Sequence, residues 1–135
     1  MMVRGHIVHS ASGRIVSTFT GLATMAAVNT PAEHVFIENA DQAVSDVSHW
    51  APGGVVTARP APSAPPSLAA GAASAWAGLP PGAAVRVIDP VTGLQAGSSV
   101  TDAQGTLSVA LPAGPWRIEV AEAFPWTAAS FAVEV

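Results

Sequence analysis

The sequence predicts a mainly β fold: an N-terminal β-hairpin region with a short helix, a proline-rich linker and a C-terminal antiparallel β-sandwich. Three observations predict it. Apolar residues alternate with polar ones at period 2 through most of residues 85–135, between Gly/Pro turns. Four prolines fall in the seven residues Pro60–Pro66. Near the N-terminus, β-branched runs flank the turn Ser10-Ala11-Ser12-Gly13. The resulting divisions are an N-terminal docking region (1–59), a Pro/Ala-rich linker (60–78) and a sandwich domain (79–135).

The elements follow in order. His6–Thr20 reads as a hairpin ended by Gly21. Leu22–Val28 is the best helical stretch, about two turns, stopped by Asn29-Thr30-Pro31. His34–Glu38 is a short strand, and Asp41–His49 a short helix or loop. Ser48-His49-Trp50 and Val55–Arg59 form a second hairpin around Pro52-Gly53-Gly54. Pro60–Pro66 is an extended connector, because proline fixes φ and lacks an amide donor. In the last part, strands are expected at Val85–Asp89, Ser98–Asp102, Thr106–Leu111, Trp116–Val120 and Ser130–Val135. Shared phase assigns Val85, Val87, Leu107, Val109, Leu111, Trp116, Ile118, Val120, Phe131 and Val133 to one core. Phe124-Pro125-Trp126 makes a corner.

Composition narrows the function. Half of the 135 residues are hydrophobic, but 28 are alanine, which buries little area. Units of 60–70 residues bury only about 60% of their unfolded surface. With no cysteine to form a staple, each half is expected to draw stability from contact with other chains. Only 10% of residues are charged and the net charge is −4. The five basic residues, Arg4, Arg14, Arg59, Arg86 and Arg117, are scattered, whereas a nucleic-acid backbone needs clustered cations. Nucleic acid is therefore not an expected partner. The N-terminus lacks the apolar core of a secretory signal, and Leu68–Leu79 is too short and too weakly apolar to span a bilayer.

Residues that could carry chemistry are sparse. The histidines are His6, His9, His34 and His49; His6 and His9, three apart on a strand, point to opposite faces. A zinc site needs three or four convergent ligands, so neither a metal nor an organic cofactor is expected. No serine lies in a nucleophile elbow, and Asp89 and Asp102 sit at turns, where aspartate caps backbone amides. No catalytic residue is assigned and the chain reads as a non-enzyme. The tryptophans have the most binding potential. Trp116 is in core phase. Trp50 flanks a turn, and Trp76 lies in an Ala/Gly-rich stretch without a clear face. Trp126, beside Phe124, either plugs the end of the sandwich or faces a partner. Trp50, Trp76, Phe124 and Trp126 are the candidate interface residues.

Several of these motifs form a recurring set. Leu79-Pro80-Pro81-Gly82, Val100-Thr101-Asp102-Ala103-Gln104-Gly105, Leu111-Pro112-Ala113-Gly114, Trp116–Val120 and Phe124-Pro125-Trp126 resemble small carboxypeptidase-regulatory-like or Ig-like modules. Trp116 stands where that pattern commonly has tyrosine, and Pro115 is a departure just before it. With Trp50–Pro60 included, the chain as a whole resembles small tail or tail-fibre-associated proteins of tailed bacteriophages. The resemblance implies a virion structural or adaptor protein at the tail tip, baseplate or fibre attachment. Its implied partners are other tail proteins, with several copies in the assembly. It carries over no catalytic residue. The alternative is a carbohydrate- or cell-surface-binding module that stacks sugars on exposed tryptophans.

Overall fold

The computed structural model describes residues 1–135. Strand accounts for 41% of them and helix for 4%, so the fold is mainly β. The chain divides into two compact units, Met1–Arg59 and Pro60–Val135.

In the N-terminal unit, β1 (Met2–His9) is the central strand of a three-stranded antiparallel sheet. The hairpin partner β2 (Ile15–Leu22) pairs along one edge and β3 (His34–Glu38) along the other. The expected hairpin is present and longer at both ends. Alternation sorts β1 into two faces. Val8 lies on one, and with Ile15 it packs against Val44 and Ala51. Val3, Gly5 and Ile7 lie on the other, where Phe19 and Phe36 meet edge to face at 5.9 Å. Gly5 is required there: a Cβ would come within 2.6 Å of the Phe36 ring. A two-stranded ribbon follows, β4 (His49–Trp50) with β5 (Thr57–Ala58), joined through a 3-10 turn at Pro52–Gly54.

The expected helix at Leu22–Val28 is absent. Leu22 ends β2, and only Ala23–Met25 forms a 3-10 turn. Seven residues are too few for a helix to hold without tertiary support. The strand ladder also claims the first of them, since Ala23 N–H donates to the Met1 carbonyl at 2.9 Å.

In the C-terminal unit, a four-stranded antiparallel sheet runs in the order β11-β10-β7-β8. Its strands are β7 (Ala84–Ile88), β8 (Gln95–Val100), β10 (Pro115–Val120) and β11 (Ala129–Glu134). A second ribbon pairs β6 (Ser74–Trp76) with β9 (Leu107–Val109). Both sheets contribute to one core. Trp76, Leu79, Ala83, Val85, Val109, Leu111, Ile118 and Val120 are buried in it, with Val87, Leu107, Trp116, Phe131 and Val133 packed against them. All ten residues assigned to the core by alternation are in this cluster.

Strand β6 has no counterpart in the sequence reading, and the segment 60–78 behaves differently from a free linker. Pro60–Pro66 has no regular secondary structure. It is nonetheless built into the C-terminal unit. Pro62 is buried, Ser63 N–H donates to the Gly78 carbonyl at 2.9 Å, and the Pro60 carbonyl accepts from Thr127 N–H at 2.9 Å.

The Thr-Asp-x-x-Gly motif organises the entry to β7. Thr101 is buried; its Oγ1 donates to the Pro80 carbonyl at 2.6 Å and accepts from Ala83 N–H at 2.8 Å. Asp102 Oδ1 accepts from Gln104 and Thr106 amides. Gly105 has φ +71°, and a Cβ there would land on the Leu79 carbonyl oxygen.

Candidate functional site

The four aromatic residues singled out as an interface separate in the structure. Trp50 ends β4 in the N-terminal unit and is half-buried. Phe124 and Trp126, in the C-terminal unit, flank Pro125 at a corner closed by an Ala123–Trp126 bridge, where Trp126 N–H donates to the Ala123 carbonyl at 2.8 Å. Both are half-buried. Trp76 is not on the surface. It is 1% exposed, meets Phe131 edge to face at 5.8 Å, and donates through Nε1 to the Ser63 carbonyl at 3.0 Å. Pairing with β9 turns it inward, and the proline segment supplies the acceptor that lets a buried indole N–H stay satisfied. Trp76 therefore leaves the interface set, and a row of stacking platforms does not form around it.

A different surface feature stands out, at β8. This strand lies at the end of its sheet, paired only with β7, so one of its edges is open. Edge strands ordinarily carry a charge, a proline or a bulge that blocks pairing with another chain. The register of β7 and β8 does shift between Val87 and Ile88, opposite the start of β8. Beyond that point, Gly97-Ser98-Ser99-Val100 has neither charge nor proline. Exposed aliphatic side chains lie at both ends: Val91 and Leu94 before the strand, Val100 at its close.

The inner side of the same edge is a cleft of about 340 Å³. Its walls are Gly97 and Ser99 of β8 and Leu107 and Val109 of β9, and its floor includes Val85 and Ile118. Register explains the opening. Gly97 and Ser99 lie across from Val87 and Val85, and so face the core. They are too small to fill it. Gly97-Ser98-Ser99 is a run of small residues within β8; a strand glycine often marks a site where another backbone approaches.

Charge is arranged within each unit. Arg4 donates to the Asn39 and Asp41 carbonyls, and Arg59 to those of Asp46 and Val47. Arg86 and Arg117 both reach Glu119 on the outer face of the four-stranded sheet, at 2.5 and 3.2 Å. The Arg86 hydrogen bond, helped by both guanidinium charges, lowers the Glu119 pKa. No group of three or more His, Asp or Glu side chains is placed to hold a metal ion. His9 and His34 are cross-strand partners with rings 5.3 Å apart, while His6 is buried on the opposite face of β1. No helix is long and apolar enough to cross a membrane.

Comparison with protein-family models, with curated protein sequences and with solved structures returns no match to this chain.

Proposed function

We propose that this chain is a non-catalytic structural or adaptor protein of a bacteriophage tail, joined to neighbouring tail proteins at the tip, baseplate or fibre attachment. The observation that carries the assembly role is the open β8 edge, free of charge and proline beyond its bulge, flanked by exposed Val91, Leu94 and Val100 and backed by an apolar cleft. An open strand edge beside apolar surface suits an added strand from another chain, with main-chain hydrogen bonds giving affinity and the cleft receiving alternate side chains. A chain that lived as an isolated monomer would carry this edge as an aggregation hazard. The tail assignment rests on the likeness of the chain as a whole, Trp50–Pro60 included, to small tail-associated proteins that pair a short N-terminal β region with a proline-rich joint and a C-terminal sandwich ending in a Pro-Trp corner and a final strand. Ig-like or carboxypeptidase-regulatory-like topology for residues 79–135 belongs to the same proposal.

The test is mass spectrometry of density-purified tailed particles from a producing culture. The expected result is this chain in the particles at a fixed, multiple copy number relative to the major tail protein, retained after high-salt washing. Its absence from intact particles, with the chain recovered free as a monomer, overturns the assignment.

A further inference from the structure

His6 is the one histidine that is fully buried, with 0% of its surface exposed. It sits mid-way along β1, across from Thr18 of β2 and Ile37 of β3. Its Nδ1 lies 3.1 Å from Thr18 Oγ1, and its Nε2 has no hydrogen-bond partner in the protein. Val8, on the same face, is covered by Val44 and Ala51, which come from the segment 41–58. That segment is held down at two backbone points. Arg4 donates to the Asp41 carbonyl at 2.6 Å, and Ala51 N–H donates to the Gly13 carbonyl at 2.7 Å.

We propose that His6 is an acid-sensitive latch: its protonation places an uncompensated charge beneath the 41–58 segment and releases that segment from the three-stranded sheet. A buried charge needs a partner, and the ring has none to offer it at Nε2. The charged and titratable groups acting on it are Arg4 on β1 and His49 on β4. Both push the same way, against a charge on the His6 ring; β2 and β3 present Thr18 and Ile37. Burial first, and then Arg4 and His49, lower the pKa of His6 from the ordinary 6.5. The sign follows. Above pH 6.5 the ring is neutral in both folded and unfolded chains and has no pH-dependent effect. Below it, the unfolded chain binds a proton that the folded one resists, so stability falls with pH down to the folded pKa. All four histidines lie in residues 1–59. The C-terminal unit therefore has no imidazole to titrate in this range.

The experiment uses the full chain. Hydrogen exchange, corrected for intrinsic rates, is compared at pH 7.5 and 5.0 for each unit, and the His6 imidazole is titrated by NMR. Opening of residues 41–58 is expected to rise by up to about tenfold per pH unit below 6.5, with Pro60–Val135 unchanged. His6→Gln should flatten this dependence, and His9→Gln should not. Should His6→Gln fail to fold, the wild-type titration still decides. A His6 ring that titrates at or above 6.5 overturns the latch. So does a pH dependence that survives in folded His6→Gln or vanishes in His9→Gln.

Discussion

Thr101 shows how much one side chain can hold. Its hydroxyl closes two backbone groups, the Pro80 carbonyl and the Ala83 amide, that the turn into β7 would otherwise bury unpaired. Thr101→Val keeps the shape and removes both bonds, leaving two orphaned groups in a buried site. The expected loss is about 2–5 kcal/mol of C-terminal-unit stability, read as a lower urea midpoint with unchanged slope. Thr101→Ser, which keeps the hydroxyl, should recover most of it. The sequence made Asp102 and Gly105 legible as turn residues, because Asx capping and positive φ are local properties. The role of Thr101 was not legible, because its partners lie 18 and 21 residues away.

At the level of the element, alternation located β7, β9, β10 and β11 to within a few residues, and the shared phase named their inward side chains. It failed where a strand is made by its partner. Ser74-Ala75-Trp76 has no apolar alternation of its own; it becomes β6 by pairing with β9 and seating Trp76 in the core. Leu22–Val28 failed the other way, with helix-like composition overridden by the β1–β2 ladder. The β8 cleft was hidden for a related reason. Nothing local says that Gly97 and Ser99 face inward; the register with Val87 and Val85 decides it. If β6 is tied to the core through Trp76, truncating that side chain should be costly. Trp76→Ala is expected to destabilise the C-terminal unit by about 3–5 kcal/mol, from lost burial and from the Ser63 carbonyl left without its donor. Chemical denaturation followed by far-UV circular dichroism measures it.

For the molecule as a whole, the change of unit at residues 59/60 coincides with the start of the proline run, so the division was readable. Which side owns the prolines was not. Prolines lacking amide donors suggest a spacer from sequence alone, yet carbonyls still accept: Pro60 and Ser63 use theirs to receive Thr127 N–H and the Trp76 indole.

That ownership decides where the chain can be cut. A fragment beginning at Leu79, the start that the strand pattern suggests, lacks β6 and Trp76. It leaves β9 without its only strand partner and uncovers Leu107, Val109 and Phe131. Such a fragment is expected to precipitate or to bind hydrophobic dyes. A fragment beginning at Pro60 keeps every one of those contacts, and is expected to bind far less dye and to melt in a single cooperative step by calorimetry. Equal behaviour of the two fragments would show that residues 60–78 are dispensable packaging, and anyone grafting this module onto another protein could then discard them; on the contacts seen here, they have to travel with it.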